Sequence, residues 1–588
     1  MHVVATAGHV DHGKSTLVQA LTGTDPDRLA EEKRRGLSIR LGYCWTTLDP
    51  VGEVAFVDVP GHERFLATTL AGLGPAPAVM FVVAADDPWM PQAAEHLAAL
   101  DALDVRHGVL VVTRADLADP APAMAAAQEQ LARSSLAAAP AVAVSGRTGE
   151  GLDELRGLLG RMLVELPRPD PATPVRLWVD RRFHVHGTGT VVTGTLPSGT
   201  VRAGDQLALG DARVRVRHVQ ALGRSVEEIT GPARVALDLG GHVPDDLDHD
   251  SVLVTPDAFA WTTQLDVRLR GAEGPPQRPL LHVGAVATEV HLRPLADDLA
   301  RLSLDRPLPL RHGDRAVLRD PGDRRLWGVQ VLDPAPPPLR RRGAAARRAR
   351  ALAGFDGTMS AALALRGHAR RSELVRLGFR DDLAARPAVV AGDWLLDPGL
   401  EQQLADRLRE AVGAATAGLA PAAAAQQLHL PDPALVTALV RPPVRAVEGR
   451  LVVSSGPSRA DRRALELLRA ELADAPFAAP DAERLRQLGI DDGALARLAR
   501  EGHLLRLAPG VVLLPDAATE ALARLATLPE PFTASDARRA LGTSRRVALP
   551  LLAHLDRTGG TLRLPDDRRR LRPRTAVPAA PPPRGEAH

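Results

Sequence analysis

Asparagine is absent from these 588 residues, and lysine occurs only as Lys14 and Lys33, so 71 of the 73 basic residues are arginine. Such usage fits a coding bias toward GC-rich codons, so an arginine in place of lysine, or a missing asparagine, says little about a site. The single cysteine, Cys44, excludes an intrachain disulfide and leaves no need for an oxidising compartment. No run of 18 apolar residues occurs and no basic-then-apolar leader ends in a cleavage site, so the sequence predicts a cytoplasmic protein without a membrane span. Charge is nearly balanced, 73 basic against 71 acidic residues, which excludes a global field that would gather nucleic acid or membrane. Any such role must rest on local charge. What remains is an ordinary globular composition, 45% apolar and 24% charged. The length suggests about four domains.

The predicted architecture is multidomain: an α/β P-loop GTPase domain, two β-barrels, then tandem α+β winged-helix modules. Short apolar runs at 2–7, 54–59, 79–85, 109–113 and 141–144 alternate with helical stretches, the pattern of a mostly parallel sheet over residues 1–168. A Pro-rich linker follows (PRPDPATP, 167–174). Residues 174–255 and 260–334 then read as alternating strands with Gly turns, hence two barrels. After DPAPPPLRRR (333–342) the chain turns helical, with hairpin signals around Gly392, Gly449, Gly510 and Asp567 at intervals of 57, 61 and 57 residues. Helices followed by a hairpin every 60 residues or so predict winged-helix modules at 349–400, 401–456, 458–516 and 518–573. A helical tail with incidental turns is the competing reading. Residues 574–588 read as a disordered tail.

Gly8–Ser15 (GHVDHGKS) fits G-x-x-x-x-G-K-[ST] between a strand and a helix, the context this phosphate loop requires. Its backbone N–H groups, at Asp11, His12, Gly13 and on to Thr16, converge on phosphates, and the helix N-terminus adds positive potential. Lys14 reaches the β- and γ-phosphates, and the Ser15 hydroxyl is a Mg²⁺ ligand. Asp58, ending the next strong strand, is the second Mg²⁺ anchor. Gly61 offers an N–H to the γ-phosphate, and His62 is the candidate to orient attacking water. In Thr113-Arg114-Ala115-Asp116, Asp116 can accept hydrogen bonds from guanine N1–H and N2–H₂, which adenine lacks. In Ser145-Gly146-Arg147 a backbone N–H can meet guanine O6. The cofactors are therefore GTP/GDP and Mg²⁺.

At the far end, residues 531–572 carry ten arginines against four aspartates, in a chain whose total is only +2. Residues 535–541 and 545–557 read as a helix-turn-helix. Arg545 and Arg546 sit at the start of the second helix, and Arg568, Arg569 and Arg570 on the wing. With aromatics at 3%, phosphate contacts and a few splayed bases of an RNA hairpin fit better than stacking on an aromatic sheet. A solvated arginine-rich face is the bland alternative.

GHVDHGKST (8–16) and DVPGHERF (58–65) resemble the translational GTPases of the elongation factor Tu class. RFHVHGTGTVVTGTLPSGTVRAGD (182–205) is similar to their second domain. Thr113 where asparagine is commoner, LRDP (318–321) and the winged-helix extension resemble the bacterial selenocysteine-specific elongation factors. That resemblance implies that 27–41 is switch I and that Ser38 ligates Mg²⁺. It makes Val10 and Leu37 the apolar gate beside His62, and has Arg114 pack on the base. It also implies a selenocysteine pocket of Asp180, Arg181 and Arg234. The implied partners are selenocysteinyl-tRNA, the ribosome and an mRNA selenocysteine insertion hairpin, with no membrane, and the protein acting as a monomer. Two departures stand out: Arg40 where the family usually has Asp, and Asp248-His249-Asp250 where it usually has an Arg-Gly turn. The rival readings are a metabolic GTPase subunit and a regulatory GTPase with DNA-binding winged helices.

Overall fold

The computed structural model describes residues 1–27, 32, 38–87, 89–186, 189–244, 247–271, 274–323, 325–386, 388–415, 417–453, 459–500 and 502–572. Leu37, most of the proposed switch I and the 574–588 tail lie outside the described residues. The chain divides into two compact units, Met1–Leu400 and Glu401–His588.

The first unit begins with a six-stranded sheet: β1 His2–Gly8, β2 Gly42–Leu48, β3 Gly52–Asp58, β4 Ala78–Ala84, β5 Gly108–Thr113 and β6 Ala141–Ala143. Their order is β2-β3-β1-β4-β5-β6. β1, β3, β4, β5 and β6 run parallel, and each is nearly all apolar because helices cover both faces. β2 is antiparallel to β3 and was not anticipated from sequence. It is an edge strand whose burial is irregular: Cys44 points inward, while Trp45 is exposed. The parallel arrangement puts the ends of β1, β3, β5 and β6 along one rim, which is where loops can form a site.

The expected barrels follow. One is a curled sheet built from 176–254, with Ala212–Ala221, Ala233–Gly240 and Gly189–Leu196 at its centre. The other is a closed barrel of six strands between Thr262–Arg270 and Leu326–Asp333. Helices Ala344–Ala353, Met359–Arg366 and Arg371–Arg376 and a hairpin (Val389–Ala391, Trp394–Leu396) complete the unit. They are joined to the closed barrel by a buried charge network around Asp266 and Asp333, and by His312, stacked on Phe379 and edge-on to Phe355.

The second unit repeats helices followed by a hairpin, with hairpins at Val444–Val447/Arg450–Val453, Leu505–Ala508/Val511–Leu513 and Thr561–Arg563/Arg569–Leu571. Local chemistry starts these helices. The side chains of Asp432, Asp481 and Thr533 accept from the first turns, and Thr533 with Asp536 forms a capping box. One apolar core, with Phe477 and Phe532 buried in it, runs from Ala464 to Leu555, so the last two helix-hairpin repeats fold as one body. Among the described residues no helix is long and apolar enough to cross a membrane.

Candidate functional site

β1 ends at Gly8, whose φ of 129° is open to glycine alone, and whose missing side chain avoids the Val82 carbonyl oxygen. The chain then curls into the helix Lys14–Thr22. Lys14 is buried under this loop, and its Nζ donates to the carbonyls of Gly8 (3.1 Å) and His9 (2.6 Å). Burial lowers the ammonium to about 8, against the pull of Asp58, Asp11 and Asp27. Gly61 closes over it. A Cβ there would lie 2.7 Å from Lys14 Nζ and 2.7 Å from the Val10 nitrogen.

Asp58 is buried at the end of β3 and accepts from Thr6 Oγ1 and Ser15 Oγ, both at 2.7 Å. Ser15 Oγ lies 3.2 Å from Ser38 Oγ, which donates to Asp27 at 2.8 Å. Burial pushes both carboxyls above their usual range; Lys14 opposes it at Asp58, and the Ser38 hydrogen bond at Asp27. Ser15, Ser38, Asp27 and Asp58, four oxygen-bearing side chains of which two are carboxylates penalised by burial, are a donor set suited to a hard divalent cation such as Mg²⁺. Asp27 is the member sequence reasoning missed. It heads the switch segment with no local pattern to mark it.

Lys14, Ser15, Asp27, Ser38 and Gly61 open into a cavity of about 470 Å³, with Asp58 behind its wall. Of the residues expected at the nucleotide, Asp11, Gly13, Lys14, Ser15, Thr16, Gly61, Thr113, Arg114, Asp116, Gly146 and Arg147 line it, together with Val10, Asp27 and Ser38. His12 and Ser145 do not. Both are fully buried. His12 pairs with Asp87 (3.3 Å), and burial lowers its pKa to about 4. Ser145 Oγ accepts from the Thr148 amide (3.0 Å), shaping the loop from within. Thr113 Oγ1 donates to the His12 carbonyl (2.7 Å), tying β5 to the phosphate loop. Arg114 is held by Asp86 (2.9 Å) and the Asp11 carbonyl, so its guanidinium braces the loop as well as lining the cavity. His62 is not on the cavity wall; its Nδ1 accepts from the Arg64 amide at 3.2 Å.

The three residues of the expected selenocysteine pocket lie together, in different electrostatic settings. Arg234 is 9% exposed and its guanidinium is bound to Asp180 (Nη2–Oδ1 2.7 Å), with the Tyr43 ring 3.7 Å from its centre. The two charges neutralise each other inside the domain. Arg181 is the cation of the three without that carboxylate. It donates to the Leu41 carbonyl (3.0 Å) and lies over Tyr43. Arg181, Arg234, Thr193, Phe183 and Tyr43 border a cavity of about 200 Å³. The two sequence departures meet beside these residues, in a second cavity that Asp180, Arg181 and Tyr43 also line. Arg40 and Asp248-His249-Asp250 border this cavity of about 420 Å³, with opposite charges on its wall.

In the second unit, Arg545, Arg568 and Arg570 are exposed. Arg569 is a correction. It is 5% exposed and pairs with Asp556 (3.0 Å), because strand alternation turns 569 inward and 570 outward. Arg546 is exposed like Arg545, and it donates to the carbonyls of Ala479 (2.8 Å) and Pro480 (2.9 Å) in the preceding repeat. Arg569→Ala is therefore expected to destabilise this body by about 2 kcal/mol, since it leaves Asp556 short of its partner. Arg570→Ala should stay within about 0.5 kcal/mol, as surface changes do. Hydrogen exchange of 545–571 in the full chain would measure both.

Residues 1–165 match the family model of the elongation factor Tu GTP binding domain. Residues 277–338 match that of the selenocysteine-specific elongation factor β-barrel domain, and 523–570 that of the elongation factor SelB winged helix. The selenocysteine-specific elongation factor of Haemophilus influenzae is 34% identical over 440 residues, 70% of this chain and 69% of that protein. Its counterpart from Escherichia coli is 39% identical over 350 residues, 57% of this chain and 56% of that protein. The chain thus spans only about half the length of the first curated relatives it matches. A crystal structure of a bacterial selenocysteine-specific elongation factor superimposes with a TM-score of 0.69 at 25% identity, covering 97% of this chain and 100% of the other.

Proposed function

The chain belongs to the selenocysteine-specific elongation factor family, and from that premise we propose that it is a GTPase carrying selenocysteinyl-tRNA to the ribosome at UGA codons. Its last winged-helix module holds an mRNA hairpin meanwhile. The observation that carries this reading is the convergence of Lys14, Ser15, Gly61, Asp116 and Gly146 on one cavity. Phosphate-binding groups and a guanine-reading carboxylate on the same wall match a guanine nucleotide in chemistry. Ser15, Ser38 and Asp58, with Asp27, would hold Mg²⁺, which neutralises phosphate charge when bound. Lys14 meets the β- and γ-phosphates, and Gly61 reports the γ-phosphate through its amide. His62 orients water only after leaving its Arg64 amide contact, which makes hydrolysis wait for the ribosome.

A selenol ionises near neutral pH whereas a serine hydroxyl does not, so Arg181 favours selenocysteine by charge, while the Asp180–Arg234 pair holds the wall and Tyr43 in place. Arg545, Arg568 and Arg570 contact hairpin phosphates. Tethering through the hairpin raises the local concentration of the tRNA complex at one codon. The test is binding of the GTP-loaded protein to selenocysteinyl-, seryl- and uncharged tRNA. Selenocysteinyl-tRNA is expected to bind at least about tenfold tighter than seryl-tRNA, and Arg181→Ala to remove most of that difference. Equal affinity for the three would overturn the reading.

A further inference from the structure

Gly8, where β1 passes into the phosphate loop, is gripped through both of its peptides. Its carbonyl accepts from Lys14 Nζ at 3.1 Å. Its N–H donates to His96 Nδ1 at 3.0 Å, from a residue 88 positions away. His96 is 2% exposed, on the helix Pro91–Ala102. A ring nitrogen that accepts from an amide carries no proton, so His96 is the neutral tautomer protonated at Nε2. Burial, with Lys14 and His9 nearby, lowers its pKa to about 3, which keeps it in that form. The helix that bears it is itself held. Asp104, just beyond its end, pairs with Arg270 (3.0 Å) and Arg315 (2.8 Å) of the closed barrel. The imidazole is thus a fixed acceptor under a loop whose own backbone must stay aimed at the ligand.

We propose that His96 is a positioning residue for nucleotide binding. By accepting the Gly8 N–H it fixes the Ala7–Gly8 peptide, and with it the bend at Gly8 that aims both the carbonyl held by Lys14 and the following loop amides. The proposal rests on the reading that the cavity takes a guanine nucleotide. Without the acceptor, the buried N–H of the Ala7–Gly8 peptide is unsatisfied. As that peptide turns to find a partner, the backbone at Gly8 changes and shifts the next carbonyl, the one Lys14 holds.

The experiment uses the full chain and fluorescently labelled GDP, with dissociation followed by stopped flow and thermal midpoints measured in parallel. His96→Leu and His96→Phe remove the acceptor and keep apolar volume. Both are expected to raise the dissociation rate by about tenfold, the effect of one buried unsatisfied amide. His96→Asn places Oδ1 where Nδ1 stands and is expected to stay within about threefold of wild type despite its smaller size. If the asparagine variant loses nucleotide as fast as the leucine and phenylalanine variants, packing rather than hydrogen bonding is responsible and the proposal falls. It falls equally if neither acceptor-free variant changes the rate. Failure of the wild-type protein to bind labelled GDP would instead strike at the nucleotide reading itself.

Discussion

Asp333→Ala is expected to cost the first unit about 3–5 kcal/mol, the penalty for leaving buried charge without its partner. Asp266 and Asp333 are both 0% exposed. Arg301 reaches Asp266 Oδ1 through Nε (2.7 Å) and Oδ2 through Nη2 (3.0 Å), and Arg348 Nε shares Oδ2 at 2.6 Å. Asp333 takes Arg348 Nη2, Arg366 Nη2 (2.5 Å) and the Ala335 amide (3.0 Å). Three guanidinium groups thus surround two carboxylates, already one positive charge in excess. Removing Asp333 leaves three cations, two of them buried, facing one remaining acid. Asp333→Asn should cost nearly as much, because shape is kept but charge is not. A surface pair such as Arg133–Glu129, both largely exposed, is worth about 0.5 kcal/mol by comparison. A chain of several domains does not unfold in one step, so the readout is hydrogen exchange of the strands Thr262–Arg270 and Leu326–Asp333 in the full chain. Protection there should fall by roughly two to four orders of magnitude. A loss below tenfold would mean that the network is not what joins the closed barrel to the helices after it.

That network was invisible in the sequence, and the reason is general. Asp266 and Arg348 are 82 residues apart, and no local pattern links them. The same holds for His96 beneath Gly8 and for Asp86 beside Arg114. The strands of the first domain, the two barrels and the recurring hairpins were legible because periodicity and Gly turns are local signals that tertiary packing reinforced. The phosphate loop was legible because its chemistry demands particular residues at fixed spacing. β2 was not: its exposed Trp45 and buried Cys44 follow from its place at the sheet edge, which the sequence alone does not reveal. The burial of Arg569 was within reach of the sequence, because strand alternation on the wing already separates Arg569 from Arg570.

Asp116→Asn is expected to exchange guanine for xanthine preference, and it tests the base-reading end of the cavity by chemistry alone. Asp116 stands on the cavity wall after β5. A carboxylate there offers two acceptors to the guanine N1–H and N2–H₂ donors. Asparagine offers one acceptor and one donor, so its NH₂ opposes the guanine amino group. Each charge-assisted hydrogen bond is worth about 1.5–3 kcal/mol, and the lost pair is joined by a donor facing a donor. GDP affinity should therefore fall by about two to four orders of magnitude, within the range seen when a hydrogen-bonding site meets an analogue with the wrong pattern. Xanthosine diphosphate carries a carbonyl at position 2, which the new NH₂ can meet while the amide oxygen still accepts from N1–H. It should bind the variant better than GDP does, by at least about tenfold, and bind the wild type poorly. Inosine diphosphate lacks the 2-amino group and loses one of the two bonds, so its affinity for wild type should fall between those of GDP and ADP. Competition against labelled GDP reads all four nucleotides. Unchanged guanine preference in the variant would place base recognition outside Asp116, and with it the argument that this cavity selects guanine.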